Sequence, residues 1–277
     1  MMNSPIFMSG NSRTSSGSWT GGWASMRSRG NGGSISEGKP YRMQKTAIEW
    51  VRNPDGSQGY SWNPVKGICP MDCKTPNGKS YCYARKNYIR FRRLPMIVFS
   101  LIECAKPFHL KKPLGIFVCS TFEIFHPEVT ERQRDLIFAT IRNCPQHRFY
   151  ILTKLPQNID RPMPPNVWLG ITLEGPQNIL LKMHHFYQNL NMTPMIINFI
   201  SFEPLLREIQ FIPIVDWVIV GRLTGHGHKY DPKKEWIEQM IKQAQAMRTP
   251  IFLKNNLIPI LSEQFVKTNQ EFPKEQP

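Results

Sequence analysis

From residue 115 onward, short apolar runs rich in Val, Ile and Phe alternate with longer amphipathic stretches. The runs are GIFVCS (115–120), RFYILTK (148–154), VWLGIT (167–172), IINFISFE (196–203), DWVIVG (216–221) and PIFLK (250–254). Their length and their β-branched and aromatic content predict buried strands. The stretches 130–143, 176–190 and 232–248 carry apolar residues at helical spacing. In the first, Leu136, Ile137, Thr140 and Ile141 follow Thr130 and Glu131; in the last, Trp236, Ile237, Met240, Ile241 and Ala244 share a face. A further strand is expected near 59–68. Strands alternating with helices predict an α/β fold, a parallel sheet wound by right-handed crossovers. Six or seven such units suit a barrel or an incomplete barrel.

Each apolar run ends in hydroxyl, charged or glycine residues. These are Ser120-Thr121 with Glu123, Thr153-Lys154, Thr172 with Glu174, Ser201 with Glu203, Gly221-Arg222, and Lys254-Asn255. In a parallel α/β barrel they stand at the carboxyl ends of the strands, where active sites lie. One such end is ordinarily a helix cap or turn. Six together predict a functional face.

Residues 1–42 follow a different pattern. Ser and Gly fill 18 of the 42 positions, without apolar periodicity. Such a stretch buries too little surface to offset its ordering entropy, so disorder is expected. Met43 is the expected natural start, with the preceding residues an over-extended reading frame. Five basic residues and Glu37 give the tail a charge of +4, leaving +11 of the chain's +15 on residues 43–277. That excess attracts polyanions and makes nucleic acid an expected partner; a basic surface kept for solubility is the simpler alternative. No run of 18 apolar residues and no secretory leader is present, so a cytoplasmic protein without a membrane partner is expected.

Three of the six cysteines, Cys69, Cys73 and Cys82, fall within the segment WNPVKGICPMDCKTPNGKSYCYAR. Cys104, Cys119 and Cys144 are scattered and expected to pack as small apolar groups. Clustered soft thiolates on a short loop point to metal. Three protein ligands on a four-iron cluster leave one iron open to a small molecule. Structural zinc is the competing reading, but it wants a fourth ligand and no histidine lies between residues 43 and 108.

CPMDC…YCYAR resembles the signature loop of the radical S-adenosylmethionine superfamily, in which three cysteines are spaced by three and then two residues with an aromatic before the last. Cys69, Cys73 and Tyr81-Cys82 match, and the departure is an insertion around KTPNGK (74–79), which reads as a turn. The blocks EW…WNPVKG, FVCSTFEIFHPEV, FYILTK, NVWLGITLE, FISFEPLL and DWVIVG, in that order, are similar to three-cysteine radical-SAM-like proteins of phage and prophage with no assigned substrate. Family members often carry Gly-Gly-Glu-Ser after the DWVIVG strand; Gly221, Arg222, Leu223 and Thr224 stand there, without the carboxylate.

The resemblance implies a partial (β/α) barrel over residues 43–265 and a flexible tail at 266–277. It implies a 4Fe-4S cluster on Cys69, Cys73 and Cys82, reductive cleavage of S-adenosylmethionine to a 5′-deoxyadenosyl radical, and an electron donor such as flavodoxin or ferredoxin. Tyr81 is expected beside the cofactor. Glu123, in the strand end that begins at Ser120, is expected at the methionine ammonium. Ser201 and Glu203 are expected at the ribose or carboxylate, and Lys154 at a carboxylate or an anionic substrate. Salt bridges within a basic barrel are the alternative for the carboxylates. YARKNYIRFRR (83–93) interleaves five basic residues with three aromatics, which suits phosphates and stacked bases, or else an amphipathic helix with its aromatics in the core. The residues acting directly on substrate remain unassigned. A non-catalytic iron–sulfur or zinc protein that binds nucleic acid, or an accessory to a phage-encoded partner, are the other classes.

Overall fold

The computed structural model describes residues 42–92, 95–174, 178–193 and 195–274. The expected disordered tail, 1–42, lies outside these residues except for Arg42. The described chain contains β1 (Gln44–Lys45), β2 (Tyr60–Trp62), β3 (Val65–Lys66), α1 (Tyr83–Arg90), β4 (Val98–Phe99), α2 (Leu101–Cys104), β5 (Gly115–Val118) and α3 (Glu131–Arg142). It continues with β6 (Arg148–Thr153), β7 (Val167–Thr172), α4 (Ile179–Asn191), β8 (Asn198–Phe202), β9 (Trp217–Val220), α5 (Lys234–Ala246), β10 (Ile251–Leu253) and α6 (Glu263–Thr268).

Eight strands form one sheet in the order β1-β2-β5-β6-β7-β8-β9-β10. All neighbours from β2 to β10 are parallel, and only β1 runs antiparallel, at the edge. The fold is therefore mixed α/β with a mostly parallel sheet. It is not a closed barrel: β1 and β10 are the sheet's two edges. All six expected runs form strands, and the three helical stretches form α3, α4 and α5. The expected strand at 59–68 splits in two at Asn63-Pro64, because proline offers no N–H to the ladder. Thr130 and Gln133 close a reciprocal capping box at the start of α3.

One side of the sheet packs on the helices, with Phe149, Leu169, Ile200 and Val218 against residues such as Phe138, Phe186 and Met240. The other side carries Phe117, Tyr150, Trp168, Phe199, Trp217 and Phe252, gathered around Trp50. The Trp50 ring lies 5.2 Å from Phe117 on β5, 5.7 Å from Tyr150 on β6, 5.6 Å from Phe199 on β8 and 6.0 Å from Trp217 on β9. In a flat sheet β5 and β9 would stand about 19 Å apart, at roughly 4.8 Å per step. One indole reaches both only because the sheet curls around it. Gly170 makes room on the same side: a Cβ there would meet the Phe199 ring at 2.3 Å.

The stretch expected as a flexible tail from 266 contributes structure as far as 274. Val266 is buried in the last turns of α6, Gln270 bridges to Phe252 on the β10 edge, and the Trp217 indole donates to the Glu271 carbonyl at 2.9 Å. The reason is aromatic: Phe272 packs against Trp217 and Phe252 with ring centroids 5.4 and 5.2 Å away.

Trp50→Ala removes the group around which the strands curl. It is expected to lower the unfolding free energy by about 3–5 kcal/mol, with Trp50→Phe costing less, both read from urea denaturation midpoints.

Candidate functional site

The inward stripe is aromatic near the amino ends of the strands and polar near their carboxyl ends. Side chains alternate with period two, so the positions that continue the stripe are Lys154 after Tyr150, Thr172 after Trp168, Ser201 and Glu203 after Phe199, Gly221 after Trp217, and Lys254 after Phe252. All of these except Gly221 line a cavity of about 910 Å³. Glu49 and Trp50 also line it, as do Cys69, Cys73, Tyr81 and Cys82 of the cysteine loop and Ser120 and Glu123 beyond β5. All nine residues expected from the sequence to hold metal or cofactor, Cys69, Cys73, Cys82, Tyr81, Ser120, Glu123, Lys154, Ser201 and Glu203, thus face one cavity.

The insertion at 74–79 is a tied-off turn. Lys74 bridges to Ser80, the Thr75 N–H donates to the Lys79 carbonyl at 2.9 Å, and Gly78 takes φ +75°, which glycine adopts without strain. The Tyr81 N–H donates to the Cys73 carbonyl at 2.9 Å, so the chain re-enters beside the residue it left. The Cys73 and Cys82 thiols are hydrogen-bond partners. Cys82 caps α1, its sulfur accepting from the Arg85 N–H at 3.5 Å. The hydrogen bond from Cys73, with help from the Arg85 and Ala84 N–H groups and the Arg85 charge, holds Cys82 down to about 6 despite burial. Cys73 is raised, by the same hydrogen bond and by burial. Burial also raises Cys69.

Among the described residues no three His, Cys, Asp or Glu side chains stand together closely enough to hold a single metal ion. The donor set of the loop is three thiols and no imidazole. In an iron–sulfur cluster each thiolate ligates a different iron, so the three need not converge on one point. By donor chemistry and by their common cavity, Cys69, Cys73 and Cys82 fit such a cluster.

The charged groups of the rim are paired across strand ends. Lys154 bonds the Glu174 carboxylate, which also accepts from the Tyr81 hydroxyl at 2.5 Å. Burial alone would raise Glu174, but the Lys154 charge and the hydrogen bonds from Lys154 and Tyr81 outweigh it and hold the carboxyl below its usual range. Lys254 donates to Glu203 at 2.5 Å, and Asn256 donates to the same oxygen at 3.1 Å. This bond from β10 to the end of β8 passes Gly221, where a Cβ would meet the Glu203 carboxylate oxygen and Lys254 Cδ at 3.0 Å each. Arg222 bonds both oxygens of Asp231 at 2.6 and 2.7 Å.

Glu123 is buried and accepts from Thr153 Oγ1 at 2.7 Å, Lys154 N at 2.8 Å and Phe125 N at 3.2 Å. Burial raises its carboxyl nonetheless. Ser120 donates to Asn63 Oδ1 at 3.2 Å. Ser201 Oγ and Trp50 Nε1 are buried without a hydrogen-bond partner. Lys154 and Glu203, expected at a ligand, are therefore each engaged with another protein side chain. On the loop after β9, His228 bonds Asp231 at 2.7 Å and His226 meets Lys86 Nζ at 3.2 Å.

Sequence reasoning named Glu174 and Lys254 as strand ends but did not carry them into the site. It missed Glu49, whose carboxylate accepts from the Asn255 N–H at 2.9 Å, 206 positions away. It also placed Cys119 only in the core. Cys119 is buried, with its thiol pushed up to about 12 by desolvation, yet it lines the cavity as well. The one available signal was period two, which puts Cys119 on the Phe117 side of β5.

A family model described as "Protein of unknown function (DUF5131)" matches residues 45–260. No curated protein and no solved structure matches the chain.

Lys154→Met leaves Glu174 without its cation in a half-buried site and is expected to lower the unfolding free energy by about 1–3 kcal/mol. Adding Glu174→Gln should recover at least half of that loss in a double-mutant cycle followed by urea titration; strictly additive losses would show the pair to be uncoupled.

Proposed function

Starting from a chain that belongs to the DUF5131 family, whose description assigns no function, we propose an iron–sulfur enzyme of the radical S-adenosylmethionine type on a partial (β/α) barrel. One observation carries this reading. The three thiols of a short loop and the polar carboxyl ends of the parallel strands face the same cavity. A structural metal site would need the loop alone; a small-molecule site needs the strand ends too.

A four-iron cluster on Cys69, Cys73 and Cys82 would supply the electron that breaks the sulfonium–C5′ bond of S-adenosylmethionine, fed by a flavodoxin- or ferredoxin-type donor. The chain's own residues hold and orient. The α1 amino terminus stabilises the Cys82 thiolate through the Arg85 N–H. Glu174 fixes the Tyr81 hydroxyl at one wall, and Lys154 neutralises Glu174. Glu123 has Oε2 engaged by one donor, the Lys154 N–H, which leaves acceptor capacity for a ligand ammonium. Ser201 keeps an unspent hydroxyl. Trp50 and its neighbouring rings close the floor against water.

The test is anaerobic reconstitution of the full chain with iron and sulfide, then dithionite and S-adenosylmethionine, with 5′-deoxyadenosine as the readout. The expected result is product from the wild type and only background from Cys73→Ala. Purified protein that carries zinc and yields no 5′-deoxyadenosine overturns the reading.

A further inference from the structure

The mouth of the cavity has a composition of its own. Tyr83, Lys86, Asn87 and Arg90 of α1 all line it. They stand at i, i+3, i+4 and i+7, so one face of the helix presents a phenol ring, an ammonium, an amide and a guanidinium to the opening. The aromatics of α1 are not core residues: Ala84 is the helix's buried residue, and Tyr83 is 67% exposed. Across the mouth, His226 meets Lys86 Nζ at 3.2 Å, which brings the 225–230 loop beside this face. That loop adds Lys229 and Tyr230, the ammonium 5.5 Å from the ring centre.

The deeper cations of the cavity are spent. Lys154, Lys254 and Arg222 are each bonded to a carboxylate. At the mouth, Lys86 is held against an imidazole and Arg90 lies over the Phe91 ring at 5.5 Å, and among the described residues neither makes an ion pair. Positive charge is thus uncompensated at the opening and compensated inside. The whole chain carries +15. This arrangement suits a ligand with a repeating negative backbone outside and one neutral unit inserted.

We propose that the mouth binds single-stranded nucleic acid, with a base stacked on Tyr83, phosphates on Lys86 and Arg90, and one nucleotide admitted to the cavity. This names a substrate class for the reading above and rests on it for the chemistry, but the binding itself does not need the cluster. A single strand is favoured because a paired base must first leave its stack to enter a cavity. An exposed ring beside cations is the means by which proteins hold unpaired bases without sequence readout.

The experiment is fluorescence anisotropy of labelled 12-nucleotide poly-dT, poly-U and a duplex of equal length, titrated with the full chain over a salt series without S-adenosylmethionine. The single strands are expected to bind at least tenfold tighter than the duplex, with the poly-dT and poly-U arms separating DNA from RNA. Tyr83→Ala is expected to weaken binding roughly tenfold. Lys86→Ala with Arg90→Ala is expected to reduce the slope of log K against log salt by about 1.4. Lys111→Ala with Lys112→Ala, in the separate basic recess lined by Arg42, Lys45 and His109, should leave the slope at the wild-type value. The altered side chains are exposed, and circular dichroism of each variant checks the fold. Equal binding of duplex and single strand, or equal loss from both pairs of substitutions, overturns the proposal. Because 5′-deoxyadenosine formation is measured separately, loss of that activity with binding intact would sink the enzyme reading and leave this one standing.

Discussion

The indole of Trp50 sets the curvature of the sheet. It touches rings from four strands, two of which lie four steps apart in strand order. A flat sheet of the same strands would bury one face and leave the other, rich in Trp, Tyr and Phe, open to water. Curling buries both faces, as all-parallel strands require. It also bends the row of strand ends into an arc around the cavity. The small inward residues, Gly170 and Gly221, are where the curl leaves least room.

Above that aromatic floor, electrostatics shapes the cavity. Each half-buried cation of the rim has a carboxylate from a different strand end or loop: Lys154 with Glu174, Lys254 with Glu203, Arg222 with Asp231. Such pairs offset the cost of desolvating charge without contributing much net stability. Their larger effect is geometric, because the first two each tie two strand ends together around the opening. Glu49 extends the same tie to the amino-terminal side by accepting from Asn255. The sheet has two free edges, yet its first and last parts are joined at the top by side-chain bonds and below by the rings around Trp50.

The cysteine loop rests on this frame. Its insertion folds back on itself, so Cys73 and Tyr81 are joined by a backbone hydrogen bond and the extra residues do not separate Cys73 from Cys82. Tyr81 is anchored to Glu174 at the far end of β7, which ties the loop to the strand ends. Thiols and strand-end polar groups therefore form one site rather than two.

The alternation of apolar runs determined by itself that the fold is α/β, and it located every strand from β5 to β10 within two residues at either end. Local hydrophobic period and strand length carry that information, because each element buries its own face. The polar strand ends and the likeness of the cysteine loop to a known signature picked out nine residues that face the cavity, but neither Glu49 nor Cys119. Tertiary structure alone decided the rest. That Lys154 serves Glu174 and Lys254 serves Glu203 depends on which strands lie side by side. That Trp50 is the hub of the inner core depends on where a segment ahead of β2 enters the curl. That residues to 274 belong to the fold depends on Phe272 meeting rings 20 and 55 positions earlier. Pairings between residues far apart in the chain leave no mark in local pattern, because the partner that satisfies a buried charge or ring is supplied by topology.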